Sequence, residues 1–277
     1  MIKGDMTLNV IECGVPRSIP IREGEVFLLP PRVPHSPQRQ AATVGLVLER
    51  ERLPHEQDGL RWYVPGTSTV LYQEWFHCTD LGTQLKPVID RFFASEQYAT
   101  KTPAKQYTAE DDKVAVDDST KLGSPVQLAT WVAQYAKGGH AVLTGAPGSR
   151  GDAPVNAGAD GAPAHEGGSL AVGGEYHTQV VTAAQGAWEA QWQPLVGEAF
   201  FWQMGGALRL QVRQAGGEES TLQLPAAHVA LLPAGCSVKA QWADAEGSPC
   251  VGLLVTNSQL PTAAAGAAAA EGEASTA

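Results

Sequence analysis

The sequence predicts a mostly β protein built from two tandem copies of one small β-barrel unit, with short helices linking them. Three observations predict it. Short apolar runs recur with turn residues between them, the pattern of a sandwich or small barrel. Gly (30) and Pro (19) are abundant, which suits a turn-rich β chain. Three marker segments also occur twice, in the same order.

The elements follow in order. Residues 5–11 alternate, with Met6, Leu8 and Val10 on one side and Thr7 and Asn9 on the other, which predicts a half-buried strand. Cys13-Gly14 is a turn signal, Ser18–Arg22 a short strand, and Glu23-Gly24 a turn. The run at 26–29, ended by Pro30 and Pro31, reads as a buried strand, and the next segment is a strand carrying His35 and Arg39. Thr43–Leu48, Leu60–Val64 and Val70–Phe76 complete the block.

A helix follows, because Leu85, Val88, Ile89, Phe92 and Phe93 fall on one face at helical spacing, with Asp80 or Thr83 as cap. Residues 99–122 read as a polar linker. Ser124-Pro125 has the form of an N-cap and first helical position before Leu128, Trp131, Val132 and Tyr135. From 138 to 168 the chain is rich in Gly, Ala and Pro, with His140–Leu143 as a short strand, and reads as a flexible insertion. A second β-rich block runs from Glu175 to Val255, and 261–277 is a low-complexity tail. The expected organisation is a first unit at 1–98, a linker at 99–170, a second unit at 171–260 and the tail.

The repeat is explicit in the markers. VFLLP at 26–30 recurs as VALLP at 229–233, VGLVL at 44–48 recurs as VGLLV at 251–255, and GDMTLNV at 4–10 parallels GGALRLQV at 205–212. Counting from the markers, His35 corresponds to Val238, Arg39 to Trp242 and Glu49 to Thr256. The second copy keeps the apolar frame and lacks all three polar groups, so chemistry is expected in the first copy alone. The second copy also has strand-like segments ahead of Gly205, whereas Gly4 is preceded by Met1, Ile2 and Lys3 only. The first unit is therefore expected to lack its opening strands.

Composition narrows the function. The net charge is −10 with no cluster of Lys or Arg, which argues against nucleic acid or an anionic membrane as partner. The four cysteines, Cys13, Cys78, Cys236 and Cys250, form no CxxC pair and no zinc-finger spacing, in keeping with a reducing compartment. No apolar segment has the length of a membrane span and the N-terminus has no signal-like core, so a cytoplasmic protein is expected.

These features resemble the cupin fold, whose second motif is G-x5-P-x-G-x2-H-x3-N. Gly24, Pro30 and His35 fit its spacing, with Arg32 at the second Gly position and Arg39 at the Asn position. More closely, GEVFLLPPRVPHSPQR, TVGLVLERERL, DGLRWYV and WFHCTDLGTQLKPVIDRFFASEQY are similar to the 3-hydroxyanthranilate 3,4-dioxygenase family, from Gly4 to Tyr98. The resemblance implies two cupins, with a mononuclear Fe(II) held by two His and one Glu in the first and no metal in the second. It implies cleavage of the ring of 3-hydroxyanthranilate by O2 in the kynurenine route to quinolinate and NAD.

Carried over by motif, His35 is the last iron ligand, Arg39 binds the substrate carboxylate, and Glu49 contacts the amino and hydroxyl edge of the substrate as a catalytic group. These types suit the chemistry. Two imidazoles and a carboxylate leave open positions on iron, a guanidinium matches a carboxylate bidentately, and a carboxylate can take a proton from a phenolic hydroxyl. The family's first motif, with the other ligands, lies upstream of the part that matches Gly4. The expected partners are a small aromatic acid and O2, and the fused form resembles monomers. His55-Glu56, His77, His165-Glu166 and His177 near Glu175 lack the spacing to replace those ligands. Arg50 and Arg52 read as solvated, Trp62, Tyr63, Tyr72, Trp75 and Phe76 as barrel or interface residues, and Cys78 and Cys236 as buried small side chains. A non-catalytic cupin-derived binding or structural protein is the alternative, and a different cupin enzyme such as an isomerase is a third.

Overall fold

The computed structural model describes residues 1–49, 51–135, 140–145, 171–172, 176–182, 192–195, 197–243 and 250–257. Arg50, most of the Gly/Ala/Pro-rich stretch and the tail lie outside the described residues. The chain divides into two units, Met1–Val126 and Gln127–Ala277.

The first unit opens with a hairpin of β1 (Met6–Glu12) and β2 (Val15–Ile21). Its turn residues Cys13 and Gly14 have φ of 49° and 77°. Two left-handed residues in succession make the tight turn whose twist suits antiparallel strands. Met6, Leu8 and Val10 are buried, and they share a core with Ile19, Ile21, Val33 and Leu122. A two-residue strand, β3 (Glu25–Val26), follows. Then β4 (His35–Arg39) pairs with β1, giving the order β2-β1-β4.

The runs at 26–29 and 43–48 depart from the sequence reading. Beyond Val26 the first is not a strand, and Leu28 is exposed. Of the second, Val44 alone pairs, through a bridge to Lys3, and Val44 and Val47 are 48% and 58% exposed. An apolar run becomes a buried strand only when ladders flank it.

A second hairpin, β5 (Asp58–Tyr63) and β6 (Val70–Phe76), leads into α1 (Leu81–Phe93). Asp80 caps α1, its Oδ1 accepting from the Gly82 amide at 2.9 Å. Phe92 is buried and stacks on Trp62 at 4.1 Å, a burial that contributes about 1.5–3 kcal/mol. A short α2 (Glu96–Thr100) is capped by Ser95. Residues 101–122 are irregular, with one 3-10 turn at Ala109–Asp111, yet they are tied to this unit. Asp112 pairs with Arg61, and the Leu122 amide donates to Glu12 Oε1 at 2.6 Å.

Helix α3 (Leu128–Tyr135) starts later than Pro125, because Val126–Gln127 forms the short strand β7. Trp131 on α3 is buried. The second unit then contains β8 (His140–Gly145), β9 (Ala171–Val172), β10 (Tyr176–Thr182), β11 (Gln193–Pro194), β12 (Ala199–Gly205), β13 (Ala207–Arg213), β14 (Glu219–Leu224), β15 (Val229–Leu232), β16 (Ser237–Ala243) and β17 (Val251–Asn257). They make a six-stranded sheet, β15-β12-β17-β10-β8-β9, and a four-stranded sheet, β11-β16-β13-β14. One core draws on both, including Phe201 and Leu254 from the first and Leu208, Leu210, Val238 and Trp242 from the second. This is the two-sheet unit expected of a cupin.

The repeat is also one of register. In the first unit Val10 faces His35 and Met6 faces Arg39 and Ile21. In the second, Val212 faces Val238 and Leu208 faces Trp242 and Leu224. Strands β14-β13-β16 therefore reproduce β2-β1-β4 residue for residue. The counterpart of 44–48 is β17, which is laddered on both sides by β10 and β12 and buried from Val251 to Val255. Of the four cysteines, Cys78, Cys236 and Cys250 are buried, and burial pushes the Cys78 and Cys236 thiols up. No helix among the described residues is long and apolar enough to cross a membrane.

Candidate active site

β4 carries two of the expected site residues, and its register decides where they point. His35 lies opposite Val10, Pro37 opposite Leu8, and Arg39 opposite Met6. Directly opposed residues project to the same face of a sheet. His35 and Arg39 thus share the face on which Met6, Leu8 and Val10 build the core, while remaining exposed themselves on the edge strand. Four residues of strand separate their Cα atoms by about 13 Å.

The approach to β4 requires a special backbone. Arg32 has a φ of 66°, the left-handed region that favours glycine, and it occupies the position where the motif carries Gly. The backbone demand persists although the side chain has changed. Val33, next in the chain, is buried and anchors the strand.

His35 is oriented by that anchor. Its Nδ1 lies 2.9 Å from the Val33 carbonyl oxygen. The carbonyl can only accept, so Nδ1 carries a proton, and in the neutral ring the lone pair is on Nε2. That is the tautomer a metal-binding imidazole uses, with its second nitrogen tied to a backbone carbonyl.

Arg39 lays its guanidinium over Gly45. A Cβ built on Gly45 would lie 2.2 Å from Arg39 Nη1 and 3.0 Å from Cζ. The glycine is what permits the contact, and it joins Arg39 to the segment that leads to Glu49. The four residues from Gly45 to Glu49 span at most about 14 Å.

Glu49 is 45% exposed, and its Oε2 accepts from Arg52 Nη2 at 3.3 Å. Arg52, expected to be solvated, is not. It is 27% exposed, and its Nε and Nη2 donate to the two oxygens of Asp58 at 2.9–3.1 Å. The hydrogen bonds that Arg52 donates to Asp58 hold its pKa above the ordinary arginine value. A signal was present in the sequence, since Arg52 and Asp58 flank a turn whose strand begins at Asp58, but a charge-rich tetrad reads as a solvated face. The turn is closed by Glu56, whose Oε2 accepts from the Leu53 amide at 2.8 Å and whose carbonyl bonds His77 Nδ1 at 2.8 Å.

The structure thus brings Arg39 to the Glu49 segment and sets His35 on the same face, without direct contact between the three among the described interactions. The test for iron is the donor set. No three His, Cys, Asp or Glu side chains converge on a metal position among the described residues. His35 supplies one nitrogen of suitable tautomer, and His77 is committed to the turn at Glu56. His177 lies beside Gln179 in the second unit, and His228 bonds the Ala226 carbonyl. His165, Glu166 and Glu175 lie outside the described residues. The described side chains alone do not make a mononuclear iron site.

Trp62, Tyr72 and Phe92 form one ring cluster, and burial raises the Tyr63 pKa.

Comparison with known proteins identifies the family. The family profile of 3-hydroxyanthranilic acid dioxygenase matches residues 1–93. The 3-hydroxyanthranilate 3,4-dioxygenase of Mus musculus is 38% identical over 256 residues, covering 92% of this chain and 77% of the mouse protein. That of Homo sapiens is 38% identical over 255 residues with the same coverage. The Xenopus tropicalis enzyme is 58% identical over 102 residues, 37% of this chain and 36% of that protein. Among solved structures, a variant of Bacillus subtilis oxalate decarboxylase gives a TM-score of 0.44 at 15% identity, covering 95% of this chain and 63% of that one.

The chain is by family an oxygen-using oxidoreductase, a dioxygenase. Within that class it belongs to the 3-hydroxyanthranilate 3,4-dioxygenase family.

Proposed function

We propose that this chain acts on 3-hydroxyanthranilate, cleaving its ring with O2 to give 2-amino-3-carboxymuconate semialdehyde, both oxygen atoms entering the product. In this reading the reaction lies on the kynurenine route to quinolinate and NAD, in the cytoplasm, and the working form is a monomer. Ferrous iron is the expected cofactor, and His35 is the one ligand the described residues offer it.

The carrying observation is the inward-facing pair on β4, together with the Arg39–Gly45 contact that joins it to Glu49. Arg39 binds the ring carboxylate through a two-pronged, charge-assisted pair. Glu49 accepts a proton from the neighbouring hydroxyl or orients it. The second unit supports this assignment by contrast, because Val238 and Trp242 fill the same register positions with buried apolar side chains.

The donor set favours a second reading, a non-catalytic binding protein that keeps the carboxylate site. One experiment separates the two. The chain is incubated aerobically with Fe(II) and 3-hydroxyanthranilate, following O2 uptake and the absorbance of the ring-opened aldehyde. Uptake matched to product establishes the dioxygenase. Binding of 3-hydroxyanthranilate with no O2 uptake establishes the binding protein. Neither binding nor turnover overturns both.

A further inference from the structure

Glu49 occupies a weak position for a residue that must hold an angle. It ends the run at 44–48, which forms no strand beyond the bridge at Val44, and its side chain is half exposed. A glutamate on such a segment samples several rotamers, and fixing it costs side-chain entropy that some partner must offset. That partner is visible. Arg52 donates to Glu49 Oε2 with Nη2 at 3.3 Å, while its Nε and the same Nη2 grip both oxygens of Asp58 at 2.9–3.1 Å. Asp58 is the first residue of β5, which is laddered to β6 along its length. The planar guanidinium, rigid and five-donor, spans the two carboxylates as an ammonium could not. The described contacts of the Glu49 carboxylate are to Oε2, and the side chain is 45% exposed. The turn between Arg52 and Asp58 is itself closed, by the Glu56–Leu53 bonds.

We infer that Arg52, clamped by Asp58, is a positioning residue that fixes the Glu49 carboxylate toward the substrate's hydroxyl edge, and so sets discrimination between 3-hydroxyanthranilate and anthranilate, which lacks that hydroxyl. The inference rests on the reading of Glu49 as a substrate contact. Arg52 touches no substrate atom. It acts through Glu49, and Asp58 acts through Arg52.

Two readouts on the full chain test it. The first needs no ligand: in protein labelled with 13C at glutamate Cδ, relaxation of the Glu49 carboxyl carbon reports its order. R52Q and D58N each raise its mobility, and R52K, which keeps charge but loses the span, gives an intermediate value. Unchanged Glu49 mobility in R52Q overturns the inference. The second readout is the affinity ratio for 3-hydroxyanthranilate over anthranilate, by fluorescence titration. R52Q lowers the ratio about tenfold, and does so only while Glu49 is present, so E49Q and the E49Q/R52Q double variant share one ratio. If E49Q lowers the ratio and R52Q does not, or if R52Q lowers it equally in the E49Q background, the inference falls and the reading of Glu49 stands. If E49Q leaves the ratio unchanged, the reading of Glu49 fails and takes the inference with it. Melting temperatures of the variants separate an unfolded chain from a repositioned side chain.

Discussion

Arg39 and Gly45 meet so closely that a Cβ on the glycine would lie 2.2 Å from Nη1 of the guanidinium. The contact belongs to the repeat. Gly252 is the counterpart of Gly45, and a Cβ there would lie 2.3 Å from Phe201 Cζ. The same marker glycine opens a slot in both units. A cation fills it in the first and a core aromatic ring in the second.

Substituting the first glycine should therefore injure binding more than folding. G45A pushes the exposed guanidinium of Arg39 off its seat, and the loss of one charge-assisted pair lowers affinity for 3-hydroxyanthranilate roughly tenfold or more. Isothermal titration of the variant, with its melting temperature alongside, checks this. A parent-like affinity would show that Arg39 does not depend on the slot.

The opposite result is expected at the second glycine. G252A forces a methyl group into the Phe201 ring within a buried sheet, and overpacking of this kind costs about 1–3 kcal/mol. Urea unfolding should show a lower midpoint, while ligand affinity in the folded protein stays at the parent value.

At Arg39 the geometry of the cation matters as well as its charge. R39Q removes both and should lose about 1.5–3 kcal/mol of carboxylate binding. R39K keeps the charge but offers no planar fork, so its affinity should fall between the two. The benzoate series makes the measurement specific: the penalty of R39Q should vanish for a ligand in which the carboxylate is replaced by hydrogen.

Acid sensitivity of the second unit should trace to His177. Desolvation by burial lowers its pKa below the ordinary value of 6.5. The unfolded chain then binds a proton that the folded chain refuses, so stability declines as pH falls through 6.5 toward the folded value. Gln179 Nε2 sits 2.6 Å from His177 Nε2, a contact in which the amide donates to the neutral ring. H177Q should flatten the parent's decline in melting temperature between about pH 6.5 and 5. An identical slope in the two proteins would place the sensitivity elsewhere.

Much of this architecture is legible in the chain before any coordinates. Met6, Leu8 and Val10 alternate, and alternation is a property of one strand read by itself. Helix α1 likewise shows its stripe and its Asp80 cap locally. The repeat goes further, because matching markers pair His35 with Val238 and Arg39 with Trp242, and the ladders confirm the register. The runs at 26–29 and 43–48 depart from the strand pattern of their residues for a physical reason. Their twins β15 and β17 are strands because β12 and β10 bond to them, and pairing cannot be seen in the run itself. Arg52 was missed likewise, since its partner lies across a turn and its tetrad of alternating charges looks solvated. Arg32 shows a demand on the backbone that outlasted the residue type usually meeting it.

The register of β4 against β1 has a consequence for how this gene can change. Side chains alternate across a strand, so a slip of one position would turn His35 and Arg39 outward and bring Ser36 and Gln38 onto the core face. Point substitutions near β4 can be absorbed one at a time. A single-codon insertion or deletion between Pro31 and His35 cannot, because it shifts every later side chain of the strand by half a pleat. The site is protected by reading distance as much as by residue identity, and lineages of this chain should vary in the letters of that turn far more than in its length.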